Sequence, residues 1–186
     1  MPVEIASFDL DDTLWSTKGV IDAANEALQQ HLQRAHPELA EGPDIADLMK
    51  DIWKQRLTKD PRLGRSPVNL TELRKAALRM ACEQTGTDPS GVVEECFELW
   101  RKVRHDVEPY LFPGALSTLT ALKQRSVRLV AITNGNADTD DIPCLKDLFE
   151  FCIRAEQLCF RQGSERTRSG GLPCSTVPMV TIVGSL

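Results

Sequence analysis

Apolar positions along this chain follow two different rhythms, and the switches between them mark out its organisation. Residues 3 to 9 (Val-Glu-Ile-Ala-Ser-Phe-Asp) form a short, largely apolar run that stops at a cluster of acids and a threonine. A parallel strand buried on both faces and ending at a site has this pattern. From about residue 19 to residue 107 the rhythm is helical, with Val20, Ile21, Ala24, Leu28 and Leu32 recurring at intervals of three and four. Further helices are predicted near Asp44 to Leu57, Leu70 to Gln84 and Gly91 to Val107. Breakers separate them at Gly42-Pro43, the Pro61 to Pro67 stretch and Gly86-Thr-Asp-Pro89. Four helices with no intervening strand read as an all-helical insertion.

After Pro113-Gly114 a helix is predicted from about Ala115 to Gln124, followed by Val127 to Thr133 as a second buried strand ending in Asn134-Gly135-Asn136. Leu145 to Phe149 reads as a short helix and Phe151 to Ile153 as a third strand. From Arg161 onward Gly, Ser, Thr and Pro crowd the chain, and only Met179 to Val183 reads as a further strand. The expected class is α/β: a Rossmann-like core with an incomplete parallel sheet, built from residues 1–16 and 108–160. An inserted helical cap covers residues 17–107, and residues 161–186 form a tail of different character.

Composition narrows the function. The 186 residues suffice for one domain with an insertion. The net charge of -5 argues against nucleic acid as a partner, because that affinity rests on dense Lys and Arg. No apolar run approaches the roughly 20 residues needed to span a bilayer, and no signal peptide precedes the first strand, so a cytoplasmic protein is expected. The six cysteines form no C-x-x-C pair, and His31, His36 and His105 are not grouped with any of them; free core thiols are the expectation, not a metal site.

Candidate chemistry lies where two strands end. Phe8-Asp9-Leu10-Asp11-Asp12-Thr13 places two carboxylates at i and i+2 just after a strand. Asp9 in that position would attack phosphorus, giving an aspartyl-phosphate, while Asp11 would protonate the leaving oxygen and later activate water. The simpler alternative is that these acids and Thr13 cap the next helix. Thr133-Asn134-Gly135 offers a hydroxyl and backbone N–H groups suited to phosphate oxygens, although Asn-Gly also marks ordinary turns.

Asp9-Leu10-Asp11-Asp12-Thr13 resembles the first signature of the haloacid dehalogenase-like hydrolases, and Ala131-Ile-Thr-Asn-Gly-Asn136 resembles the second, with a helical insertion between them as in that family. The resemblance implies that Asp9 is the nucleophile and Asp11 the acid/base. Leu10, Thr133 and Asn134 would bind phosphate. It implies Mg2+ as cofactor, held through Asp9 and Asp11 with a further acid from a later motif, since Mg2+ takes oxygen ligands. Dehalogenases of the family lack a carboxylate at the Asp11 position, so Asp11 points to a small phosphorylated metabolite. Phe8 to Leu14, Ala131 to Ala137 and Leu148-Phe-Glu-Phe151 further resemble the flavin mononucleotide and 5-amino-6-(5-phosphoribitylamino)uracil phosphatases.

The chain departs from the family in two places. No lysine follows Lys146, although the third family motif is a lysine after the third strand; Arg161, Arg166 or Arg168 would be an imperfect substitute. Ser185 stands after Thr181-Ile-Val-Gly184 where the family has an aspartate, and Glu165 is the last acid. An impaired enzyme, a non-catalytic product, and a frame shift or truncation beyond Phe160 are the corresponding expectations. In the helical stretch, Trp53 and Trp100 are expected as core or as stacking platforms, and Arg74, Arg101 and Arg104 as solvated or as reaching substrate. Asp138, Asp140 and Asp141 are expected as loop acids.

Overall fold

In a computed structural model, residues 3–61, 63, 68–155, 157 and 180–181 are described. Four parallel strands form one sheet in the order β3-β2-β1-β4, with β1 at Ile5–Phe8, β2 at Arg128–Thr133, β3 at Phe151–Arg154 and β4 at Val180–Thr181. Ile5 pairs with Arg128 and Phe8 with Ala131, and Thr133 pairs with Arg154 on the far side of β2. The three longer strands thus end at nearly one level, and the acids after β1 lie beside the turn after β2. This is the α/β Rossmann-like arrangement expected. Among the earlier expectations for the tail, only the strand at Val180–Thr181 falls on described residues; Cys159, Arg161, Glu165, Arg166, Arg168, Cys174 and Ser185 lie outside them.

Between β1 and β2 the chain makes α1 (Thr17–Ala35), α2 (Pro37–Ala40), α3 (Ile45–Lys59), α4 (Leu70–Thr85), α5 (Val92–Arg104) and, after a 3-10 turn at Glu108–Tyr110, α6 (Ala115–Gln124). Three of the long helices, α1, α3 and α4, start on a side-chain cap. Ser16, Asp44 and Asn69 accept hydrogen bonds from Gly19, Asp47 and Glu72 N–H groups, and Gly86 closes α4 in the left-handed region at φ 73°. The short α2, begun by Pro37, was not read from the sequence, being a single turn with no period to detect.

Two hydrophobic clusters form. One unites the helices through Leu28, Leu32, Leu48, Ile52, Leu73, Leu78, Phe97 and Trp100. The other lies against the sheet through Leu10, Leu14, Trp15, Leu119, Leu129, Ile142 and Leu145. Val20, at the start of α1, belongs to the sheet cluster, while Ala24, Leu28 and Leu32 further along the same stripe belong to the helical one. The chain leaves and re-enters the sheet side at one place, where Ser16 N–H donates to Tyr110, Phe112 N–H donates to Leu14, and Trp15 bridges Leu111.

One expected element is absent. Leu145 to Phe149 is a series of turns, not a helix. Its bonds are mostly of the i to i−3 kind, as from Leu145 to Ile142 and from Leu148 to Leu145, and Asp147 takes a positive φ of 65° that ends any helical continuation. On the sheet face away from its cluster, Ile132, Phe151 and Ile153 are exposed.

Candidate active site

Asp9 is the first residue past β1, and its carboxylate opens to solvent. The Leu10 backbone N–H and the Thr13 hydroxyl, 3.4 Å from Oδ2, both donate to it. Even so, the protein around its base desolvates the carboxylate and raises its pKa above the usual range, and the charges of Asp11 and Asp12 push the same way. A carboxylate held among like charges at a strand end is one that a cation would stabilise.

Asp11 is more deeply set. Its Oδ1 accepts from the Trp15 indole N–H at 3.0 Å and from the Arg104 guanidinium of α5. Its Oδ2 faces Gly135: a Cβ on that glycine would fall inside 3.0 Å of Oδ2 and lie 3.3 Å from the Thr133 hydroxyl. Gly135 has an ordinary φ, so glycine is required here for space and not for backbone freedom. Oδ1 is engaged by both donors, while Oδ2 faces the turn after β2.

Thr133 is buried at the end of β2, and its hydroxyl accepts the Gly135 N–H at 3.0 Å. Asn134 follows, exposed. The structure therefore brings Asp11, Thr133 and Gly135 together, with Asp9 and Leu10 beside them at the end of the neighbouring strand and Asn134 on the rim. Leu10 itself is fully buried, so its main-chain N–H is the group it can offer a ligand. Asp12 fits the capping alternative: at φ 56° it accepts the Thr17 N–H at 2.9 Å and prepares the start of α1. Asp9 and Asp11 do neither.

Trp15 and Arg104 were not read as partners of Asp11. Arg104 is 93 positions away in sequence and only 2% exposed, with Nε and Nη1 buried and without hydrogen-bond partners. Its guanidinium also lies 5.7 Å from the Trp15 ring centroid. Arg74 is likewise buried, stacked 3.8 Å over Trp100, and burial lowers its pKa to about 10. Arg101 instead pairs with Glu98 and with Asp141, 2.6 Å away in the loop after β2. Trp100 is core, donating to Asn25 at 2.9 Å, and Trp53 packs against the helical cluster. Asp138 accepts from Asp140 N–H and pairs with Arg154 at 3.0 Å, as a loop acid would. Cys82, Cys96, Cys144 and Cys152 are free thiols, and burial pushes Cys96 up to about 11.

Comparisons with known proteins show the family. The model of the haloacid dehalogenase-like hydrolases matches residues 3–158, and the chain belongs to that family. A solved 2-haloacid dehalogenase from Pseudomonas syringae pv. tomato DC3000 is 34% identical, with a TM-score of 0.69 over 84% of this chain and 66% of the other. The chain thus spans just under two thirds of that enzyme's length. The hydrolase YfnB from Bacillus subtilis, solved bound to magnesium, shares the fold at 14% identity and a TM-score of 0.51, over 84% of this chain and 67% of its own. No curated protein matches the chain. Members of this family commonly use Mg2+. Among the described residues no helix is long and apolar enough to cross a membrane.

Proposed function

We propose that the chain is a phosphomonoesterase acting on small phosphorylated metabolites in the cytoplasm, with flavin mononucleotide-like compounds favoured. The helices of residues 17–107 serve as a cap over the core. Asp9 attacks phosphorus, the bond to the leaving oxygen breaks, and Asp11 delivers a proton to that oxygen from Oδ2. Asp11 then takes a proton from the water that cleaves the aspartyl-phosphate. The Leu10 N–H, the Thr133 hydroxyl and Asn134 hold phosphate oxygens. Asp9 and Asp11 supply the oxygen donors that fit Mg2+, which when bound would offset charge on the phosphoryl group.

The observation that carries this reading is the Asp11 carboxylate itself, held by Trp15 and Arg104 with its second oxygen free beside Thr133. An alkoxide leaving group needs a proton, whereas halide departs as an anion without one. A second reading, haloacid dehalogenation, is favoured by the 34% identity to the Pseudomonas enzyme. The test is release of phosphate from flavin mononucleotide and p-nitrophenyl phosphate with Mg2+, run beside halide release from 2-chloropropionate. Phosphate release that vanishes in Asp9→Asn supports the proposal. Halide release alone transfers the assignment to the second reading. Activity in neither assay means a non-catalytic member of the family, in keeping with the absence of any lysine after Lys146.

A further inference from the structure

Far along the chain from Asp9, three side chains converge on the helical cluster. His31 lies on the penultimate turn of α1, His36 caps the end of α1 and the start of α2, and Glu95 stands in the first turn of α5. Their donor atoms all lie within 4.8 Å of one another. His31 Nε2 is 2.9 Å from Glu95 Oε1, and His36 Nε2 is 3.8 Å from Oε2. The two imidazole rings sit 6.0 Å apart at 63°.

Both Nε2 atoms are buried, yet neither makes a hydrogen bond of good geometry. Buried polar atoms in that condition are costly, and a pair of them aimed at one carboxylate calls for a shared partner. A proton supplies one histidine at a time. A metal ion supplies both.

We propose that His31, His36 and Glu95 bind one divalent transition-metal ion of the zinc type, at a site separate from the Asp9 and Asp11 carboxylates. Two imidazole nitrogens and one carboxylate oxygen suit Zn2+ and its neighbours, whereas Mg2+ takes an oxygen set. Bonds of about 2.0–2.1 Å in a tetrahedral site place ligand atoms roughly 3.3 Å apart. The three ligand atoms, one from each residue, already lie within 4.8 Å of one another, with Glu95 contacts of 2.9 Å through Oε1 and 3.8 Å through Oε2. Small ring rotations draw the histidines together, and Glu95, exposed on the outer side, leaves the fourth position to water. The ion ties α1, the junction of α1 with α2, and α5 together, because its ligands come from those three places.

Titration of the metal-free full chain with Zn2+ against a chromophoric chelator tests this, with Co2+ giving a visible ligand-field spectrum. The expected result is one Zn2+ per chain at micromolar or tighter affinity. The thermal midpoint should rise by about 5 °C or more at a hundredfold excess over Kd. Affinity should fall at least about tenfold in each of His31→Asn, His36→Asn and Glu95→Gln, and stay unchanged in Asp9→Asn and Asp11→Asn. Glu95 is a surface residue, so Glu95→Gln keeps the test sound if a histidine variant folds poorly. Binding weaker than about millimolar, or one equivalent retained in both His31→Asn and Glu95→Gln, overturns the assignment, the second outcome sending the ion to another site.

Discussion

The pairing of Arg104 with Asp11 can be tested through stability alone, whatever the chain turns over. Arg104 is 2% exposed and the Asp11 side chain 22%, so the pair is largely out of water. Removing one partner of such a pair typically costs about 3–5 kcal/mol, because the other charge stays buried and uncompensated. The two halves are not equivalent here. Asp11→Asn strands a guanidinium whose Nε and Nη1 already lack partners, so nothing offsets its burial, and roughly 3 kcal/mol is expected. Arg104→Met strands a carboxylate that keeps the Trp15 N–H and some water, and it relieves the two unpartnered nitrogens Nε and Nη1, so about 1–2 kcal/mol is expected. The double variant removes both charges and should return to within about 1 kcal/mol of the starting protein. Urea unfolding of the four proteins at pH 7 measures the cycle. Single effects that simply add in the double variant, within about 0.5 kcal/mol, would refute the pairing.

Three other outcomes are expected. Gly135→Ala should push Asp11 Oδ2 back by about 1 Å and lower kcat for a phosphomonoester about 100-fold while leaving the fold intact, as read by turnover beside circular dichroism. Burial holds the His105 imidazole down at about 4, with Arg101 and Arg104 adding to that against Asp141; its folded pKa lies below the unfolded value near 6.5. The stability this group contributes is therefore complete above pH ~6.5 and is lost as the pH falls toward ~4, by roughly 3 kcal/mol. His105→Gln should flatten the urea midpoint across that window, and an unchanged slope would count against the buried neutral ring. Asp12→Ala should cost about 1–2 kcal/mol through the lost acceptor for Thr17 N–H and the positive φ, with Asp12→Gly recovering part of it, as denaturant unfolding will show.

What could be read from the chain, and what could not, divides by the range of the interactions. β1 and β2 were legible as short, largely apolar runs, as in Arg128–Thr133 with its buried Leu129, Val130 and Ala131, even though Ile132 in the same run is exposed. The long helices were legible from the repeats that α1 and α5 bury, such as Val93, Cys96, Phe97 and Trp100. Leu145 to Phe149 was misread because its apolar spacing is real, yet Leu145 and Phe149 are buried from a turn, and Asp147 forbids the helix locally. Asp9, Asp11 and Thr133 could be nominated because each stands where a strand ends. Arg104 could not be assigned to Asp11, nor Glu95 to His31, since only the docking of α5 on α1 and on the sheet side joins positions so distant in sequence.

The bond from Trp15 to Asp11 sets a natural fluorophore directly against that carboxylate. An indole whose N–H points at a carboxylate, with a guanidinium near its ring, emits at a wavelength set by those two charges. Of the three tryptophans, Trp53 and Trp100 sit in the helical cluster. A change in the charge or hydrogen bonding of Asp11 should therefore shift the Trp15 emission with no label attached, a shift that steady-state fluorescence of Asp11→Asn beside the parent chain would read.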